Sequence, residues 1–289
     1  MSGVRLLVAD VDGTLITSGK VLTERTRRAV LRLRDAHVAF AITSGRPPRG
    51  MSMLVAPLGL TTPMGAFNGG ALVKPDLSVL EERCLPPALV DRIVTTIASH
   101  GLDVWVYSGA DWLVRDLGAA HVDHERTTVA FAPTLVRNFD AVGEGVTKLV
   151  GVSDDPRLIA QCEADLRERF SGQVSASRSQ PYYVDVTNPE ANKGAVVRRL
   201  SELLGVAREQ IATIGDMPND VLMFALSGMS IAMGNATPDV QRCAHFVTTS
   251  NDDEGFATAV EHYVLAAAKA GAQSPSPRSE SGAHSMVNQ

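Results

Sequence analysis

The sequence predicts an α/β protein: a Rossmann-like, doubly wound parallel sheet core into which a second, α+β unit is inserted. Three observations carry this. At the start of the chain, short continuous apolar runs alternate with amphipathic helical patterns, which marks parallel strands covered on both faces. The same texture returns near the end. Between the two, from about residue 80 to 186, the runs become strand-rich, and both tryptophans and three of the four tyrosines lie there. A length of 289 residues leaves room for one large or two medium units.

In chain order, 4–9 reads as the first strand, 23–36 as a helix with Thr23 as its N-cap, and 38–43 as the second strand. The arginines at 25, 27, 28, 32 and 34 fall around the exposed side of that helix, whose apolar positions are Ala29, Val30 and Leu33, so they read as a solvated face. In the middle section, strands are expected at 102–107, 112–115, 146–152 and 182–186, and helices at 88–99 and 156–170. After it come a helix at 193–204, a strand at 211–214, a helix at 220–225 and short apolar pieces at 230–233 and 245–247. This divides the chain into a first core segment at 1–82, an insert at 83–187 and a second core segment at 188–272. The Ser- and Pro-rich stretch 273–289 cannot repay the entropy of ordering and is expected to be disordered.

With 45% hydrophobic and 20% charged residues, the chain can bury a full core. No apolar run approaches the roughly 18 residues of a membrane span, and the first strand begins too early to leave room for a leader. A cytoplasmic protein with no membrane partner is expected. A net charge of −5 argues against a nucleic-acid partner, whose footprint is normally basic. Cys84, Cys162 and Cys243 are far apart and lack any Cys-x-x-Cys spacing, so they read as reduced and mostly buried, with neither a zinc site nor a disulfide framework. No amphipathic surface stands out, so oligomeric state stays open.

The first strand runs into Asp10-Val11-Asp12-Gly13-Thr14-Leu15. On an extended backbone residues i and i+2 share a side, so Asp10 and Asp12 converge while Gly13 turns the chain away behind them. Two carboxylates held together repel unless a cation or shared proton relieves them. A hard divalent metal, Mg²⁺ above all, fits oxygen ligands of this kind. An ordinary Asp-Gly turn is the plain alternative. The second strand leads into Thr43-Ser44-Gly45-Arg46-Pro47, a hydroxyl at the end of a parallel strand where open α/β sheets collect ligands. Ser44 there is either a phosphate donor, helped by turn N–H groups, or a simple helix cap. Phe67-Asn68-Gly69-Gly70 offers another polar donor, and Lys193-Gly194 opens a helix with a lysine that on its own reads as surface charge. The strand 211–214 ends in Gly215-Asp216-Met217-Pro218-Asn219-Asp220, whose paired acids complete a plausible Mg²⁺ cage with those of the first strand.

Taken in order, these four segments resemble the four motifs of the haloacid dehalogenase (HAD) superfamily: Asp10 to Leu15 the first, Ser44-Gly45-Arg46 the second, Lys193-Gly194 the third, and Gly215 to Asp220 the fourth. More closely, the chain is similar to the Cof-type branch of class IIB, in which a large α+β cap is inserted between the second and third motifs. Met229 to Ala236 and Thr249 to Gly255 look like that branch's closing segments. The departures are Ser44 where threonine is commoner and Asn192 just ahead of the lysine.

The resemblance implies a Mg²⁺-dependent phosphatase acting on a small phosphorylated metabolite, a sugar phosphate or a phosphorylated cofactor such as a flavin or pyridoxal phosphate. It implies Asp10 as nucleophile forming an aspartyl-phosphate, and Asp12 as general acid and then base with its proton affinity raised by cap closure. Mg²⁺ is then held by Asp10, Asp12 through its carbonyl, and Asp216, with Asp220 and Asn219 holding its waters. Ser44, Gly45, Lys193 and Asn68 contact the phosphate. Specificity is expected from the insert, with Trp105, Tyr107, Trp112, Arg115, Arg178 and Tyr182 as candidates, set against a role for the aromatics in the insert's own core. His121 and His124, beside Asp123 and Glu125, read as a solvated loop. A phosphomutase of the phosphomannomutase type and a non-catalytic phosphate-binding regulatory protein are the alternatives.

Overall fold

The computed structural model describes residues 3–139, 142 and 144–272; the expectation for the tail at 273–289 lies outside the described residues. The first core segment supplies strands β1 (Leu6–Asp10), β2 (Ala39–Thr43), β3 (Met64–Ala66), β4 (Ala71–Val73) and β5 (Val79–Glu82). The insert supplies β6 (Asp103–Ser108), β7 (Asp111–Val114), β8 (Thr134–Leu135), β9 (Val146–Val152), β10 (Ser175–Gln180) and β11 (Tyr183–Thr187). The closing segment adds β12 (Ile211–Gly215), β13 (Met229–Ala232) and β14 (Phe246–Val247).

The core strands form one eight-stranded sheet in the order β14-β13-β12-β1-β2-β3-β4-β5. It is parallel from β14 through β3 and antiparallel from β3 to β5. All five residues of β1 and of β12 are buried, as central strands covered on both sides require. Helix Glu24–Asp35 packs Ala29, Val30 and Leu33 inward, and the Thr23 hydroxyl accepts from the Thr26 N–H at its start. Its arginines pair with Glu24 and Glu261 on the outer side, as the charge pattern predicts.

The insert is a six-stranded sheet in the order β10-β11-β9-β6-β7-β8 with helices Pro87–Ser99 and Pro156–Arg169 on one face. Those helices share a hydrophobic cluster with Val104, Val106, Leu149, Val184 and Val186. The alternate residues Trp105, Tyr107, Trp112, Val150 and Tyr183 point the other way and join the cluster of the core, with Met51 and Phe67. One face of the insert's sheet is therefore a cap seated on the core. The seat is close: a Cβ on Gly50 would lie 3.1 Å from Val129 Cβ, and the rings of Phe67 and Tyr107 are 5.5 Å apart.

Two expectations are corrected. Residues 122–129 form a helix, Val122–Val129, where a loop was expected, because Val122 and Val129, two turns apart, are both buried in the core's cluster. Cys84, Cys162 and Cys243 are free, but only Cys162 is buried; Cys84 is half-buried and Cys243 is exposed.

Candidate active site

The carboxyl ends of β12, β1 and β2, three neighbouring strands, set the site, in keeping with where open α/β sheets gather ligands. Asp10 is the last residue of β1, opposite Thr43 of β2, and Asp216 follows the last residue of β12. Behind Asp10 the chain folds back on itself, with Leu15 N–H and Ile16 N–H both donating to the Val11 carbonyl. Gly13 makes that turn at φ +81°, and a Cβ there would meet Asp216 Oδ2 at 2.4 Å. Both counts demand glycine.

Lys193 opens helix Lys193–Leu204, whose N-cap Asn192 accepts from the Ala195 N–H. Its Nζ lies 2.6 Å from Asp10 Oδ1 and 2.6 Å from Asp220 Oδ1. Asp220 Oδ2 accepts from the backbone N–H groups of Asp216 and Met217 at 2.8 and 2.9 Å, which fixes the turn carrying Asp216. The Thr14 hydroxyl donates to Asp216 Oδ1 at 3.0 Å, and Asn235 Nδ2 donates to Asp216 Oδ2 at 3.2 Å. One oxygen from each of Asp10, Asp216 and Asp220 lies within 4.8 Å of the others.

Charge is concentrated here. Burial pushes the Asp10 carboxyl well above its ordinary range, opposed by Lys193 and reinforced by Asp220 and Asp216. Burial, with the Asp220 charge beside it, pushes Asp216 up to about 6. Burial works against the Lys193 ammonium, yet Asp10 and Asp220 outweigh it and hold the proton on above the ordinary lysine value. Three buried carboxylates facing one ammonium are short of positive charge, and their hard oxygens fit a small divalent cation.

Asp12 is placed differently from the expectation. Arg46 grips it with two bonds, Nε to Oδ2 at 2.7 Å and Nη2 to Oδ1 at 2.8 Å, and Lys20 Nζ adds a third at 2.6 Å. Burial would raise its carboxyl, but the Arg46 hydrogen bonds and charge, with Lys20, hold it down at about 2. The raised proton affinity expected of Asp12 is thus absent in this arrangement.

Ser44 is buried, its N–H donating to the Gly65 carbonyl and its hydroxyl accepting from the Arg46 N–H. Gly45 passes so near Asn68 that a Cβ would lie 3.2 Å from Asn68 Nδ2. Asn68 stands at φ +55° and accepts from the exposed Asn219 at 3.2 Å. Asn219 therefore sits at the rim, beside Asn68.

Of the cap candidates, Trp105, Tyr107 and Trp112 lie on the core-facing side, at most 2% exposed. Tyr182 lies at the edge of that side, stacked on His121 with ring centroids 4.0 Å apart. Arg115 lies over the Phe139 ring and Arg178 pairs with Glu163, both among the residues of the helix-covered side, so neither joins the group facing the core. His121 bonds Asp154 rather than a partner histidine.

Several residues with no expected role complete the site: Thr14, Lys20, Arg46 and Asn235 in the core, and Lys148 and Asp185 in the cap. The last two carried a signal, a lone charge inside otherwise apolar strands that prove buried throughout. Lys148 Nζ lies 2.7 Å from Asp185 Oδ2 and donates to the Gly45 carbonyl at 3.4 Å.

Comparison with known proteins identifies the family. The family model of haloacid dehalogenase-like hydrolases matches residues 7–260. The chain is 28% identical over 267 residues to a 5-amino-6-(5-phospho-D-ribitylamino)uracil phosphatase of Bacillus subtilis, covering 89% of this chain and 97% of that protein. The solved structure of a haloacid dehalogenase-like hydrolase from Bacteroides thetaiotaomicron superposes with a TM-score of 0.82 at 28% identity, covering 89% of this chain and 98% of the other. The fold is also shared with a HAD subclass IIB sugar phosphatase, at a TM-score of 0.79 and 19% identity, covering 90% and 99%. A sheet of this topology, a cap of this type and a match spanning nearly the whole described chain place the protein among the haloacid dehalogenase-like hydrolases, as a capped phosphoric monoester hydrolase of the Cof type.

Proposed function

We propose that the protein hydrolyses a small phosphomonoester through a covalent phosphoryl group on Asp10, with Mg²⁺ as its metal. The observation that carries this is the buried triangle of Asp10, Asp216 and Asp220 with Lys193 bonded to two of its corners. Asp10 is the residue with a carboxylate at the end of the central strand and an ammonium holding one oxygen, which leaves Oδ2 to attack phosphorus. The ordinary buried-lysine role, neutralising a single acid, does not explain why Lys193 spans both.

Asp10 and Asp216 would supply carboxylate oxygens to the metal together with the Asp12 carbonyl, and Asp220 and Asn219 would hold its waters. When bound, Mg²⁺ offsets the repulsion among these acids and the charge on the phosphoryl oxygens. Lys193, the Ser44 hydroxyl and the Gly45 N–H bind and orient the phosphate. Asp12 rests ionised in the grip of Arg46 and Lys20, which leaves it a weak base in this arrangement. Released from Arg46 it regains proton affinity: it takes up a proton from solvent, gives it to the leaving oxygen, and then takes one from the water that cleaves the acyl phosphate.

A generic aryl phosphate assayed for released phosphate tests the reading. The wild-type protein is expected to turn it over with Mg²⁺ and to stop when the metal is chelated. Asp10→Asn is expected to lower the rate by about a thousandfold or more. Appreciable Mg²⁺-dependent turnover by that variant rules out the covalent route.

A further inference from the structure

Asp185 lies in the middle of β11, 3% exposed, and neither of its oxygens receives a hydrogen bond among the described residues. Lys148 Nζ is close enough for an ion pair with Oδ2, at 2.7 Å, without the alignment of a hydrogen bond. A buried carboxylate left with all its lone pairs open is costly, and proteins normally surround one with donors. Two further polar atoms nearby are also without partners, Tyr183 Oη and Trp112 Nε1.

These groups belong to the face of the cap that meets the core. In the register of the sheet, Asp185 is opposite Val150, which is opposite Trp105, and Lys148 is opposite Tyr107. Lys148 also reaches the carbonyl of Gly45, next to Ser44. Glu125, bonded to Tyr107 Oη at 2.9 Å, feels the charges of Lys148, Asp185 and Arg46 together. The same Arg46 grips Asp12. A continuous polar seam thus runs from the Asp12 carboxylate to Asp185.

The aromatic rings on this face are already spent on one another. Trp105 packs edge-on against Trp112 and Tyr183, with centroids 5.1 and 5.2 Å apart, and Tyr107 lies against Trp112 and Phe67. These rings pack on one another as a hydrophobic floor, whereas a carboxylate with free lone pairs beside an ammonium matches a pair of neighbouring hydroxyls.

We propose that Lys148 and Asp185 are the specificity-determining residues of the cap, and that they read adjacent hydroxyls on the leaving group of a sugar or alditol phosphate. This rests on the phosphatase reading above. Asp185 accepts from the hydroxyls, Lys148 donates to the same oxygens, and the aromatic floor keeps both in place.

The test compares kcat/KM for p-nitrophenyl phosphate, pyridoxal phosphate, a panel of hexose and alditol phosphates and their monodeoxy analogues, in wild-type protein, Asp185→Asn and Lys148→Met. The wild type is expected to prefer a hydroxyl-bearing ester and to lose activity when one hydroxyl is deleted. In each variant the ratio of polyol phosphate to aryl phosphate activity is expected to fall roughly 10- to 100-fold, and the deoxy penalty to vanish. A parallel fall on both esters, which a purely structural role produces, overturns the inference; so does an unmoved ratio, or a wild type that prefers pyridoxal phosphate or the aryl ester. Release of phosphate from no ester by the wild type ends the phosphatase reading as well.

Discussion

Asp216 shows how the site trades stability for binding. Its carboxyl, pushed up to about 6 chiefly by burial, is protonated more readily in the folded chain than in the unfolded one. Its contribution to stability is therefore present below the ordinary carboxylate value near 4 and is lost as pH rises through about 6. Metal binding needs the carboxylate, so the direction reverses when the cation is supplied. The thermal midpoint of metal-free protein is expected to fall as pH rises from about 4 to about 6, while the increment added by Mg²⁺ grows over the same interval. Asp216→Asn is expected to weaken both trends, the raised Asp10 carboxyl keeping its own share, and a Mg²⁺ increment that is flat with pH or undiminished in that variant contradicts the ligand assignment. Gly13 belongs to the same balance. Gly13→Ala, strained at φ +81° and colliding with Asp216 Oδ2, is expected to cost roughly 1–3 kcal/mol in urea unfolding and to weaken the response to Mg²⁺.

At this scale the chemistry of the core was largely legible, because the residue types are themselves unusual at strand ends: Asp10, Asp216 and Asp220 could be placed together from the apolar runs before them. Lys20, Thr14 and Asn235 could not, since what selects them is a side chain crossing a large sequence distance. Arg46 stood in a recognised motif, but its grip on Asp12 depends on geometry that spacing does not carry.

Among the elements, those with a marked apolar pattern match the sequence expectation most closely: the strand expected at 146–152 is β9 residue for residue, and the helix expected at 193–204 is Lys193–Leu204. β10 carries no such pattern. Its sequence, SASRSQ, has no apolar run, and it is a strand because it pairs antiparallel along β11 at the sheet's edge. β3 and β4, of three residues each, are too short to show a period. Two predictions belong here. Thr23→Ala removes the cap of helix Glu24–Asp35 and also the bond from the Thr23 hydroxyl to Glu254, and is expected to cost about 1 kcal/mol by denaturant unfolding. Arg115→Ala and Arg178→Ala, whose partners lie on the helix-covered side of the cap, are expected to leave kcat/KM within about twofold, and a larger loss in a folded variant would return them to the site.

For the molecule as a whole, the cap is held between two hydrophobic clusters, one its own and one shared with the core. Both tryptophans belong to the shared one. Their emission therefore reports on the seating of the cap. Gly50→Leu, which forces bulk against Val129, is expected to shift tryptophan emission to the red with the far-UV circular dichroism unchanged, and an unshifted spectrum means the seam absorbs the change. Among the described residues no helix is long and apolar enough to cross a membrane.

The turn at 67–69 ties these scales together. Phe67, Asn68 and Gly69 stand in succession at φ +51°, +55° and +99°, a run that only strong external restraint maintains. Phe67 touches the cap through Tyr107, Asn68 lies beside Gly45, and a Cβ on Gly69 would strike the Asn192 carbonyl 2.5 Å away. Anyone grafting a foreign lid onto this scaffold, or shuffling its loops, must carry these three residues across unaltered, since they are the hub at which three separately encoded parts of the chain agree on a common alignment.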